Sequence, residues 1–134
     1  MIPSNDTLLS TNLEIVTPPS KTYKIDIDRN VIFGHCDGIE AMIQAIYKIL
    51  NTERYQYIIY SWDYGIELYD LYGKRVDYVC AELQRRVQEA LLQDDRIKYV
   101  DEFQFDTSKK GVVNATFIVH TIFGDIEGQK AVTI

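Results

Sequence analysis

Proline, cysteine, histidine and long apolar runs are all scarce in this chain, and each scarcity removes a class of protein. The three prolines, Pro3, Pro18 and Pro19, all fall before Thr22 amid Ser, Thr and Asn. That composition resists helix, so residues 1–22 read as an extended arm and residues 23–134 as a single folded domain. The two cysteines, Cys36 and Cys80, have no CxxC or Cys/His spacing. A disulfide framework and a zinc site are therefore excluded, and buried, reduced thiols of an intracellular protein are expected. The two histidines, His35 and His120, lie near apolar strand segments without a GxSxG or similar nucleophile motif, which points to structural roles. No run approaches the roughly 20 apolar residues that span a bilayer, and no basic start precedes an apolar stretch. The expectation is a soluble chain with no export signal and no membrane partner.

Positive charge is also in deficit. With 14 basic residues against 20 acidic ones, the formal charge is −6, which offers no footprint for a phosphate backbone. Nucleic acid is not an expected partner. There is no glycine-rich phosphate cradle, and the adjacent Asp94 and Asp95 diverge in direction rather than pair across a sugar. No catalytic, cofactor-binding or metal residue is assigned. What is abundant is apolar content, 46% of 134 residues, enough to close one core of ordinary size but hardly two.

Periodicity places the elements. Lys24–Asp28 alternates as a short strand, Arg29-Asn30 turns it, and Val31–Phe33 returns. Asp37 is placed to cap a helix that ends near Asn51, with Glu40 in capping-box position and Ile39, Met42, Ile43, Ile46, Ile49 and Leu50 on one apolar face. A short strand is expected at Tyr57–Tyr60. A second helix spans about Arg75 to Gln93 on Val76, Val79, Cys80, Leu83, Val87, Ala90 and Leu91, with Asp77, Glu82, Arg85, Arg86 and Glu89 on a solvated face. The period then changes to two. Tyr99–Phe105 and Val113–Phe123 read as strands around the polar turn Thr107–Gly111, and Gln129–Ile134 as a last strand after turns at Gly124 and Gly128. Val113, Ala115, Phe117 and Val119 share one face. The class is α+β, two main helices packed on a small, mainly antiparallel sheet.

Between the helices, residues 55–72 hold six of the ten tyrosines and the only tryptophan. Rings with a polar tip suit a surface half buried and half open to a partner, and they equally suit an aromatic mini-core under a loop.

Three short elements in this order carry a family likeness: Thr52-Glu53-Arg54, then Asp63-Tyr64-Gly65, then Asp94-Asp95-Arg96-Ile97 at the end of the second helix. The chain resembles the phage baseplate wedge proteins often labelled "lysozyme-like", whose relatives include the TssE component of type VI secretion. The third element in that family reads Glu-Pro-Arg-Ile. Arg96 and Ile97 match it, Asp94 is conservative, and Asp95 departs from the proline.

The resemblance implies a sheath-like fold and a structural role: a baseplate component on which the first ring of contractile sheath assembles, present in several copies among other baseplate and tail-sheath proteins. It implies assembly in the bacterial cytoplasm and residence in the virion tail. Arg54, Tyr64, Asp94 and Arg96 become candidate partner-binding residues, the arginines because a guanidinium fork grips a carboxylate bidentately. An internal tie of a loop to a helix end stands beside that reading for each arginine. An open strand edge would accept a strand from a neighbour, with the arm or Gln129–Ile134 as the donated segment. The alternative is a peptidoglycan-cleaving muramidase. Phage lysozymes carry a Glu followed eight residues later by Asp, and no glutamate here has an aspartate at that offset. A cytoplasmic adaptor unrelated to tails is a third reading.

Overall fold

The computed structural model describes residues 19–134. The extended arm read at residues 1–22 lies almost wholly outside the described residues. Among the described residues, two α-helices and two antiparallel sheets make an α+β fold. A hairpin of β1 (Thr22–Asp26) and β2 (Val31–Cys36) comes first, turning through Asn30, which takes a positive φ of 56°. Helices α1 (Gly38–Leu50) and α2 (Val76–Leu92) follow, and the chain closes with β3 (Ile97–Asp106), β4 (Val112–Thr121) and β5 (Gly124–Thr133) in the order β3-β4-β5.

Asp37 caps α1 as its position predicts, its carboxylate accepting from the Gly38 N–H at 2.7 Å. Glu40 does not complete a capping box. It pairs with Lys24 of β1 at 2.6 Å, so its charge ties the hairpin to the helix rather than the helix to its own start. Gln44 strengthens that tie, donating to the Tyr23 carbonyl at 2.7 Å and accepting from the Ile25 N–H at 2.9 Å. Met42, Ile46, Ile49 and Leu50 are buried, whereas Ile39 and Ile43 of the predicted face are exposed. The helix packs on α2, β5 and β1. Ile39 lies in the first turn of the helix, its Cδ1 near Gly124 at the start of β5, and Ile43 borders a shallow groove with Ile25 and Ile27, so both sit at the margin of the core and not within it.

The core lies between the helices and the inner face of the three-stranded sheet, where Val113, Ala115, Phe117 and Val119 are fully buried in the predicted alternation. Gly111 takes the expected positive φ, 77°, at the β3–β4 turn. The last strand departs from expectation. Ile122 and Phe123 form the turn, and β5 runs ten residues straight through Gly128. Gly128 faces Phe117, and a Cβ there would stand 2.3 Å from the ring, so this glycine makes room for a core aromatic instead of bending the chain.

The β4–β5 pairing has one parity throughout, with no bulge. Ile134 N–H donates to the Gly111 carbonyl at 2.9 Å, which makes this a hydrogen-bonded pair. By the antiparallel alternation, Gly124, Ile126, Gly128, Lys130 and Val132 bond β4, while Asp125, Glu127, Gln129, Ala131 and Thr133 direct N–H and C=O outward. Among the described residues no strand pairs that outer edge. Gln129–Ile134 is thus already bound to β4, which leaves it an acceptor edge and not a segment free to be donated.

Candidate functional site

The segment between the helices, residues 51–75, contains no regular strand: the predicted one at Tyr57–Tyr60 is a turn closed by Tyr60 N–H on the Tyr57 carbonyl at 3.3 Å. Its β-like composition finds no neighbouring strand to pair with. Instead the loop is pinned at its base. Ile66 N–H donates to the Thr52 carbonyl and Arg54 N–H to the Ile66 carbonyl, both at 3.0 Å, which locks Thr52-Glu53-Arg54 against Asp63-Tyr64-Gly65. Gly65 sits at φ 93°, and a Cβ on it would lie 2.6 Å from the Thr52 carbonyl oxygen, so only glycine permits this approach.

Arg54 is buried beneath the loop. Its Nε donates to the Gly65 carbonyl at 3.2 Å, Nη2 to the Asp63 carbonyl at 3.2 Å, and Nη1 to Glu89 of α2 at 2.9 Å. Glu53 accepts from the Leu68 and Tyr69 N–H groups at 2.9 and 3.1 Å, capping the 3-10 turn Tyr69–Leu71. The two motif elements quoted for the family likeness are therefore halves of one internal clasp.

A second arginine closes the other end. Arg86, read above as part of a solvated face, is buried; its Nη2 donates to Asp70 at 2.8 Å, its Nη1 to Asp70 and to the Glu67 carbonyl, and its Nε to Glu82 at 3.2 Å. The Asp70 hydrogen bond foremost, outweighing partial desolvation, holds Arg86 above the usual arginine range, and the same bond holds the Asp70 carboxyl below the usual carboxylate range. A signal for this was present in the sequence. Residues 79, 83, 86 and 90 keep a four-three-four spacing, so Arg86 occupies a slot of the apolar register that composition alone assigns to solvent.

At the end of α2, Arg96 grips Asp94 with Nε at 2.9 Å and Nη2 at 2.7 Å, and its own N–H adds a 3.0 Å bond. Burial pushes the Asp94 carboxyl up, yet Arg96's side-chain and backbone bonds and its charge prevail and hold it below the ordinary range. Asp94, Arg96 and Tyr64 line one open cleft of about 430 Å³ with Ser61, Asp63 and Gln93. Tyr64 stacks on Tyr60 at 4.4 Å, and burial foremost raises its phenol above its usual range. The structure thus brings Tyr64, Asp94 and Arg96 together and sets Arg54 behind them, tied internally. The internal tie is present for both arginines.

Outside the clasp the loop is open. Ile58 is fully exposed, Trp62 is 81% exposed, and Tyr55, Tyr57 and Ile59 also face solvent, so the tip is a surface cluster and not a mini-core. Tyr55 takes a positive φ of 70°, a sparsely populated backbone conformation for a residue that carries a side chain. Residues 55–62 carry no charge at all. A second cleft of about 340 Å³ runs between Tyr57, Tyr69 and Tyr72 of this loop and Lys130–Thr133 of β5. Among the described residues, no group of three or more His, Cys, Asp or Glu is placed to hold a metal, and no helix is long and apolar enough to cross a membrane.

Known proteins match the chain along this same frame. The "Phage-like element PBSX protein XkdS" of Bacillus subtilis (strain 168) is 37% identical over 122 residues, covering 87% of this chain and 85% of that protein. The family model described as contractile injection system sheath initiator matches residues 20–124, from β1 through the β4–β5 turn and across both arginine clasps. The chain belongs to the contractile injection system sheath initiator family.

Proposed function

We propose that this protein starts the sheath by offering the open edge of β5 to a strand of a neighbouring tail subunit, while the uncharged aromatic tip docks on a second baseplate surface. Family membership makes the protein a structural, sheath-initiating component of a contractile phage-tail baseplate. The observation that carries the finer reading is the edge itself: ten residues, unbulged, with five outward N–H and C=O pairs and no proline. Soluble proteins rarely leave such an edge open unless it has a partner, because it templates association. The exposed rings beside it fit the aromatic enrichment of interface centres. Arg54, Tyr64, Asp94 and Arg96 serve partners by shaping the cleft and holding the loop at its base. The partners are other baseplate and sheath proteins in several copies per tail, assembled in the bacterial cytoplasm, with no nucleic acid, membrane or cofactor involved.

Proline at Ala131 tests the edge directly. Ala131 directs its N–H outward and its side chain to solvent, so Ala131→Pro removes a donor to the partner without removing a bond to β4. The expected result is a folded domain whose melting matches the parent, and tail lysates that show no sheathed particles by electron microscopy, while Ala131→Ser assembles. Normal sheaths with Ala131→Pro would sink the edge reading.

The protein acts without enzymatic activity in this proposal. A muramidase needs one carboxyl held protonated and a second across the sugar. In the cleft, Asp94 is instead held ionised and bound bidentately by Arg96. Purified protein should leave a peptidoglycan suspension turbid; clearing abolished by one Asp or Glu substitution but not by a distant control would restore the enzyme.

A further inference from the structure

On the outer face of the sheet, away from the core and from both clefts, His120 of β4 lies between two carboxylates. Its Nε2 is 2.7 Å from Asp101 Oδ1 on β3, and its Nδ1 is 2.7 Å from Asp125 Oδ1 on β5. Tyr99 of β3 stacks on the ring, centroids 4.1 Å apart and planes 23° from parallel. The titratable groups that face the imidazole are thus Asp101 and Tyr99 from one side and Asp125 from the other. The side chain is 18% exposed.

An ionised carboxylate only accepts hydrogen bonds, and a neutral imidazole has a single N–H. Two contacts of this length to two carboxylates are satisfied together only when both ring nitrogens carry protons. We propose that His120 is a doubly protonated clamp across all three strands, and that losing one proton loosens the start of the edge strand β5. The consequence follows from placement: Asp125 is the second residue of β5, next to the two-residue turn, so the clamp holds the end at which the edge strand departs from β4. The Asp101 hydrogen bond foremost, offset in part by desolvation and reinforced by Asp125, raises the imidazole above its ordinary range.

The sign is fixed by that direction. A group whose folded pKa lies above its unfolded value of about 6.5 contributes fully below that value, and the contribution disappears as pH rises through the folded pKa. The edge strand is therefore held most firmly below about pH 6.5 and loosens as pH rises through the raised value of His120. This clamp is independent of the strand-accepting reading of β5, since it is read on the isolated chain.

Nitrogen-15 NMR of the ring, together with amide exchange corrected for its intrinsic pH dependence, tests the clamp on the full chain. Both His120 N–H groups are expected to persist at about pH 6.5, with a titration midpoint above that value. Asp101→Asn should lower that midpoint more than Asp125→Asn. Protection of the first β5 amides should fall several-fold across the midpoint in the parent chain and stay level in His120→Gln. A midpoint at or below about 6.5, or β5 protection that ignores the titration, would overturn the clamp. Where His120→Gln fails to fold, the parent's own titration and exchange decide the matter.

Discussion

Leu83→Ala and Ile46→Ala are each expected to lower unfolding free energy by about 2–5 kcal/mol, the cost of lost burial plus the cavity left behind. Leu83 is fully buried in the middle of α2, and Ile46 is 4% exposed in the middle of α1, both within one core cluster with Phe117 and Val119. Because the helices and the sheet share that close-packed cluster, the neighbours can relax into the gap only in part. A domain of this size holds roughly 5–15 kcal/mol in all, so either change removes a large share. Thermal or denaturant melts decide it. Unchanged melting in both variants would show that the helix faces are wrongly placed.

Arg86→Ala should cost about 3 kcal/mol, the low end for breaking a buried pair, because Asp70 is half exposed and water partly screens it. Truncation strands the Glu67 carbonyl together with Asp70 and frees the end of the aromatic loop from α2, while Glu82 keeps its 2.8 Å bond from Arg85. Arg86→Lys should recover only part of the loss, since a point charge cannot replace a fork that serves two carboxylates and a carbonyl. Acid probes the same tie. The Asp70 pKa is depressed on folding, so its contribution is present above the unfolded carboxylate value of about 3.9 and disappears as pH falls through the lower folded value. Melts of the parent should therefore lose stability in that acid window, and Arg86→Ala should lose less of it. Equal acid sensitivity in both chains would show that the tie carries no stability.

Were Arg86→Ala to stay folded, the loop tip should gain mobility while the sheet keeps its order. Its effect on sheath assembly would then come through the presentation of Tyr57, Ile58 and Trp62 rather than through the β5 edge, a distinction that Ala131→Pro makes from the other side.

The sequence by itself determined what depends on near neighbours. Helical spacing placed α1 and α2 and most of their buried faces, because residues three and four apart share a face wherever the helix sits. Alternation placed the inner face of β4, and Asp37 and Gly111 marked a cap and a turn through their own backbone needs. The ordered motifs Thr52-Glu53-Arg54, Asp63-Tyr64-Gly65 and Arg96-Ile97 led to the sheath initiator family. Tertiary structure alone decided the rest, since it turns on partners distant in sequence. Arg54 meets Glu89 35 residues on, Arg86 reaches back 16 residues to Asp70, and His120 gathers carboxylates from the strands on both sides. Periodicity reports which way a side chain points, but not what charge awaits it there. Gly128 shows the same limit for the backbone: read locally it is a turn residue, and only the Phe117 ring pressed against it on the neighbouring strand makes it a place where nothing larger fits.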